Sequence, residues 1–254
     1  MGELYHICLD ENLGIKYAIL PGDSDRVEII AGYLDNPRFM GRKREYTTYC
    51  GELCGEKVLV TSTGIGGPST AIAVEELYKA GVRTFIRVGT CGAMQTDIIA
   101  SDIIIATGAV RAEGTSKEYI PAEYPAVADF NVTSCLVQAA ENENINYHVG
   151  VVQSKDSFYG QHSPERMPVG YRLIENWKAW IKAGCLASEM ECAALFAVSS
   201  VLKAASGAVL SVVWNQEREA LGLSNPHCHD THNAIKTAIE GLKLLINADS
   251  GPKA

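Results

Sequence analysis

The feature that most narrows the fold is an arrangement met three times, in which a short apolar run ends on a glycine turn. Residues 57–62 lead into Thr63-Gly64-Ile65-Gly66-Gly67-Pro68-Ser69. Residues 84–86 lead into Arg87-Val88-Gly89-Thr90-Cys91-Gly92, and residues 16–20 into Pro21-Gly22-Asp23-Ser24-Asp25-Arg26. Such units belong to an α/β fold with a central, largely buried sheet. Glycine at these turns lets backbone N–H groups approach a ligand closely and permits positive φ. Two of the three turns also carry an arginine, so strand ends of this kind suit a small anion.

The rest of the chain continues the pattern. Residues 45–53 and 57–62 read as an antiparallel pair turned near Gly55. Further strands are expected at 84–88, 103–110, 147–153 and 208–213. Helices are expected at 25–34, 69–80, 131–141, 171–183, 189–204 and 231–247. The prediction is a single α/β domain over 1–254, with a frayed tail at 249–254. Two long irregular stretches stand out, 112–129 and 214–230. Loops of that length in compact domains are usually functional or disordered, and the second, polar around Asn215-Gln216-Glu217-Arg218, is a candidate lid.

Charge limits the partners. Lys and Arg number 22 against 30 Asp and Glu, a formal charge of −8. An acidic surface argues against nucleic acid and anionic membranes, so any anion-binding arginines must be focused locally. No apolar run approaches the ~20 residues of a membrane span, and the first residues lack a signal-peptide pattern. Eight cysteines with no Cys-x-x-Cys pair read as reduced thiols of a cytoplasmic protein. His227-Cys228-His229 reads as surface loop rather than metal cluster, because neighbours on an extended chain point to opposite faces.

Several motifs have two readings. The Gly64 segment has no Gly-Lys-Ser/Thr ending for a nucleotide phosphate loop. A dinucleotide fingerprint would need Gly or Ala where Ser69 stands. Alone, it serves equally well as a plain strand-to-helix connection. Arg87 lies inside an apolar strand, where a buried cation needs an anionic partner, and its fork matches phosphate oxygens. Glu189 and Glu191, flanking Met190, either stabilise a helix N-terminus through its dipole or accept hydrogen bonds from sugar hydroxyls. Phe158, Gln161 and His162 are a core aromatic with polar loop neighbours, or a stacking ring with an amide and an imidazole for a planar base.

Taken in order, the chain resembles the hexameric nucleoside phosphorylase family, and within it the uridine-cleaving branch, over nearly its whole length. The resemblance rests on Pro-Gly-Asp-x-x-Arg at 21–26, Arg-Glu-Tyr at 44–46, Thr-Gly-Ile-Gly-Gly-Pro-Ser at 63–69, Arg-Val-Gly-Thr at 87–90, Phe-Tyr-Gly-Gln at 158–161 and Glu-Met-Glu at 189–191. It implies a central mixed, twisted β-sheet flanked by α-helices, and a homo-oligomer whose active unit is a dimer, usually three to a ring. It also implies phosphorolysis of uridine to uracil and ribose 1-phosphate, with phosphate as co-substrate and no organic cofactor.

By the same resemblance Gly22, Arg26, Arg87 and Thr90 are phosphate ligands, joined by Arg44 of a neighbouring subunit. His6 crosses the same interface to the ribose, which Met190 and Glu191 also contact. Phe158 and Gln161 hold the base. Glu45, Ile65 and Ser69 stand where some members bind potassium. Arg87, Gln161, His162 and Glu191 are expected to carry the chemistry. Two departures mark this chain: Ser163 and Gln216 stand where the best-known uridine-cleaving members have arginines. His162, and after it Arg218, are the substitutes expected to polarise the uracil carbonyl. Purine-specific members carry an acid near the position of Asn215, so its absence favours a pyrimidine. A purine-cleaving or water-using relative and a silent nucleoside sensor are the competing readings.

Overall fold

The computed structural model describes residues 2–250. Ten strands form one mixed sheet: β1 (Tyr17–Pro21), β2 (Asp35–Lys43), β3 (Tyr46–Leu53), β4 (Glu56–Thr61), β5 (Thr84–Ala93), β6 (Ile103–Ala112), β7 (Ala126–Val127), β8 (Tyr147–Lys155), β9 (Ala187–Glu189) and β10 (Ala205–Asn215). The helices are α1 (Asp25–Ala31), α2 (Gly67–Ala80), α3 (Thr115–Tyr119), α4 (Phe130–Asn142), α5 (Phe158–His162), α6 (Gly170–Lys182), α7 (Cys192–Leu202), α8 (Gln216–Ala220) and α9 (His232–Ser250). Among the described residues no helix is long and apolar enough to cross a membrane.

Strands β10, β5, β1 and β4 run parallel, and β3 and β2 extend them as an antiparallel meander. On the other side β10 pairs antiparallel with β6, β6 parallel with β8, β8 parallel with β9, and β9 antiparallel with β5. Because β5 also pairs with β10, these five strands close into a ring. The closure curls the sheet around the C-terminal ends of β1, β4, β5 and β10. In open parallel sheets that is the end where ligands bind.

Alternation along the strands builds two apolar layers. Ala18 and Leu20 of β1 face the layer that holds Val74 and Leu77 of α2 and Leu195 and Phe196 of α7. Tyr17 and Ile19 face the other, with Val27 and Ile30 of α1, Leu136 of α4 and Ile239 and Leu242 of α9. The period of two sends successive residues to opposite faces. Each fully buried aliphatic side chain contributes about 1.5–3 kcal/mol. Helix α7 is buried on nearly every side, as its almost wholly apolar sequence requires.

Three expectations need correction. The helix expected over 189–204 is two elements: Glu189 ends strand β9, and α7 begins at Cys192. The cause is local, because the Glu189 carboxylate accepts from the backbone N–H of Cys192 at 3.0 Å and of Glu191 at 2.8 Å, which fixes a helix start after it. Strand β2 is unexpected, since it is polar, mostly exposed and interrupted by Pro37 and Gly41, the composition of an edge strand. Asp249 of the expected frayed tail is helical and accepts a hydrogen bond from Tyr17 Oη at 2.8 Å. Residues 251–254 lie outside the described residues.

Candidate active site

A cavity of about 840 Å³ opens at those strand ends. The turns after β1 and β4 are tied together, with Thr63 N–H donating to the Pro21 carbonyl at 2.9 Å and Gly64 N–H to the Gly22 carbonyl at 3.0 Å. Gly64 has φ +69°, and a Cβ there would stand 2.7 Å from both Glu45 Cγ and Ser69 Oγ. Only glycine meets both demands.

Arg87 is buried in β5 at this end. Its guanidinium folds back over Gly89, where a Cβ would meet Nη2 at 2.6 Å. Nη2 donates to Glu191 Oε2 at 2.5 Å, and Nε lies 3.3 Å from Glu189 Oε2. Nη1 is buried and has no hydrogen-bond partner among the described residues. Burial works against the charge of Arg87, but Glu191 and then Glu189 outweigh it, and the net effect raises its pKa. Arg26 lines the same cavity, 3.9 Å from Asp23. Its pKa is lowered, first by burial and further by the charge of Arg87, with Asp23 opposing. The two arginines therefore feel each other, and Gly22 and Thr90 border the same space.

The paired carboxylates part: one lies at the helix start and the other in the cavity. Glu189 caps α7 and faces Arg87. Glu191 turns into the cavity, where Oε1 accepts from Gly66 N–H at 2.5 Å and Oε2 from Arg87. Burial, opposed first by Arg87, raises the Glu191 pKa. Two short charge-assisted hydrogen bonds nevertheless suit the ionised form. Met190 lines the cavity beside it.

Phe158, Gln161 and His162 also line the cavity, on the short helix α5. The rings of Phe158 and His162 lie 4.3 Å apart, and that of Trp214 is 5.8 Å beyond His162. Burial, then the charge of Lys155, lowers the His162 pKa, so at neutral pH the ring is uncharged. The Gln161 amide donates to Gln216 Oε1 at 3.0 Å and accepts from Ser188 Oγ at 2.8 Å. One N–H and one lone pair remain on the amide, side by side, for a ligand.

Other expected residues lie elsewhere. Arg218 is not among the cavity residues, and its guanidinium is committed to the carbonyls of Ser224 at 2.8 Å and Thr96 at 2.6 Å. Short contacts in the 215–225 turn hold it there. His6 is paired with Glu76, Nδ1 to Oε1 at 2.7 Å, and Arg44 sits at φ +54° in the turn between β2 and β3. Neither lines the cavity of its own chain. At the rim, the Ser69 hydroxyl donates to Glu45 Oε1 at 2.8 Å next to the exposed Ile65.

The sequence did not single out Lys155, Ser188, Trp214, His227 or His229 for this cavity, which they also line. His227 stacks on Trp214 at 5.7 Å, so the segment read as plain surface loop borders the site. Lys155 and Ser188 come from the adjacent parallel strands β8 and β9, a pairing that leaves no local signal in the chain.

The chain matches the family model described as the phosphorylase superfamily over residues 16–241. It is 56% identical to the uridine phosphorylase of Treponema pallidum (strain Nichols), covering 97% of this chain and 95% of that protein. It is 39% identical to the uridine phosphorylase of Escherichia coli (strain K12), covering 96% and 98%. A guanosine phosphorylase of Halorubrum lacusprofundi is 40% identical over 85% of each chain.

Proposed function

The chain belongs to the phosphorylase superfamily, and from that premise we propose that it is a pentosyltransferase catalysing the reversible phosphorolysis of uridine to uracil and ribose 1-phosphate. The observation that carries the reading is the Arg87 guanidinium. One nitrogen is bound to Glu191 and another is buried and unpartnered, in a cavity that also holds Gln161. A buried donor without a partner costs about 1–3 kcal/mol, a cost that a phosphate oxygen removes.

Phosphate is held by Arg26, Arg87, Thr90 and the Gly22 turn, under C1′ of the nucleoside. Glu191 accepts from the ribose hydroxyls, and Met190 packs on the sugar. As the C1′–N1 bond breaks, its electron pair goes to N1 of uracil. Positive charge grows on the sugar, which the phosphate dianion stabilises and then captures through one oxygen. Gln161 gives its free N–H to a uracil carbonyl and takes the adjacent N3–H, while Phe158 stacks on the ring and His162 borders it as a neutral imidazole. Donors that bind the departing anion more tightly than neutral uridine lower the barrier. No covalent intermediate with the protein is needed.

Subunits complete one another in this reading, with dimers as active units and three dimers to a ring. Arg44 and His6, absent from their own cavity, reach the partner's phosphate and ribose. Glu45, Ile65 and Ser69, gathered on one rim, supply oxygen ligands that fit a hard monovalent cation such as potassium when a second copy contributes its own. Eight free cysteines suit a reducing cytoplasmic setting.

The guanosine phosphorylase relative keeps a purine reading in view. Asn215 speaks against it: both its amide hydrogens go to the Gln95 and Ile98 carbonyls, and its oxygen accepts from Glu217 N–H and Arg218 N–H. That side chain is fully committed to structure and offers nothing to a base. Incubation with uridine, thymidine and inosine, each with and without phosphate, tests the proposal. Uracil release that requires phosphate is expected, and release without phosphate, or from inosine alone, refutes it.

A further inference from the structure

The base end of the cavity is walled by helices that bury little of themselves. Among the described residues of α5 and α6 only Gly160 and Gly170 are buried, and Phe158 and Tyr159 are exposed. Leu173 of α6 backs α5, with Cδ1 standing 3.4 Å from where a Gly160 Cβ would be. Against both helices lies a second cavity of about 780 Å³, bordered by Leu173, Trp177 and Trp180 of α6 and by Gln153 of β8. Hydrophobic stabilisation scales with the apolar area removed from water, so it does little to fix α5. Polar ties decide where Gln161 stands. Two of them lead to α8, which is itself moored. Its N-cap Asn215 donates to the Gln95 and Ile98 carbonyls and accepts from the N–H groups of Glu217 and Arg218. From this helix Gln216 Oε1 accepts from the Gln161 amide at 3.0 Å, and Glu217 Oε1 accepts from Trp177 Nε1 at 2.8 Å.

We propose that Gln216 and Glu217 are positioning residues for the base, holding α5 and α6 so that the Gln161 amide meets the uracil edge. The inference rests on the uridine reading above and deepens it. Neither residue lines the catalytic cavity, and both line the second one. They therefore act through other side chains. Ser188 holds one end of the Gln161 amide and Gln216 the other. Two points fix the amide's direction, whereas one leaves it free to swing about Ser188. Hydrogen bonds weaken steeply as their angle closes, so a swung amide loses the uracil edge even while Phe158 still stacks. Glu217 secures the same helix from behind. A carboxylate only accepts and an indole N–H only donates, and the charged acceptor makes this the stronger tie. Gln95 fastens the far end of α6, donating to the Ile181 and Cys185 carbonyls. The half of α6 that backs α5 thus depends on Trp177. Because α8 is moored by Asn215, cutting either tie moves the base wall and not the post.

The test reads phosphate-dependent uracil release by the wild type first, and its failure would refute the uridine reading rather than this inference. Gln216→Met keeps length but offers the amide only a weak acceptor. It should lower kcat/KM for uridine by about 10–10²-fold, up to the cost of a ~1 Å misplacement. In a Gln161→Ala background the same substitution should cost less than about threefold, because its effect runs through that amide. Glu217→Leu should raise the uridine KM and leave the phosphate KM within about twofold, the mark of a loss confined to the base. Glu217→Gln still accepts from Trp177 and should restore the uridine KM. A Gln216→Met loss undiminished without the Gln161 side chain would overturn the proposal. So would Glu217→Gln as damaging as Glu217→Leu, or wild-type kinetics in both Gln216→Met and Glu217→Leu. The two positions are probed separately, so one decides if a variant at the other folds poorly.

Discussion

Replacing Lys155 with methionine should make the protein more stable at neutral pH. Burial pulls the Lys155 pKa from the ordinary 10.5 down to about 8, against the opposing pull of Glu189, Glu191 and Cys91. His162 is uncharged and adds no field of its own. The gap is about two and a half pH units, and at ~1.36 kcal/mol per unit it is worth about 3 kcal/mol. The sign follows from proton counting. Below pH 8 the ammonium is charged in both states, so the folded protein carries the full penalty. Between pH 8 and 10.5 the unfolded chain still holds the proton while the folded one has released it, and wild-type stability rises with pH. Urea unfolding followed by tryptophan fluorescence, at equal protein concentration, gives both stabilities across this range. The contribution favouring Lys155→Met should be about 3 kcal/mol at pH 7 and fall below about 1 kcal/mol at pH 10. Packing differences between the side chains do not vary with pH, so they offset the curve without bending it. A difference that stays flat from pH 7 to 10 would refute a strained, charged lysine at this position.

Two further outcomes follow from the site. Gln161→Ala should lower turnover on uridine by about 10²–10³-fold, the usual effect of losing a donor to developing charge; a variant within a few-fold of wild type would take Gln161 out of the mechanism. If Arg44 acts across an interface, subunits carrying Arg44→Ala mixed with subunits carrying Gln161→Ala should form dimers with one intact and one doubly impaired site. Activity above that of either variant alone is then expected, and its absence in verified mixed dimers would place Arg44 outside a shared site.

The anion end was legible in the chain because its parts are local. A strand, a glycine turn and an arginine are contiguous at 21–26 and at 87–92, so Gly22, Arg26, Arg87 and Thr90 could be picked out together. They line one cavity. What stayed hidden was pairing at long range. Nothing near Arg87 announces that Glu189 and Glu191 are its partners, a hundred residues on, or that the Glu189 carboxylate takes the first N–H of α7. Strand β9 is three residues long, too short for alternation to register. Without β9 neither the closed ring nor the approach of Ser188 to Lys155 could be foreseen.

The same distinction explains why the cavity's lysine was not foreseen. A search beside the vacated positions finds His162 and Arg218, because such a search looks along the chain. One is neutral and the other is bound to backbone carbonyls. Gln216, which stands in one of those positions, holds the Gln161 amide instead of carrying charge. Lys155 lies across the sheet, on the strand that β9 joins to β5. Its burial is tolerable because Glu189 and Glu191, already gathered for Arg87, offset part of the penalty. The two ends of the cavity are therefore not separate designs: the two carboxylates that organise Arg87 also favour the charged form of Lys155. Neutralising either carboxylate would be felt at both ends of the cavity.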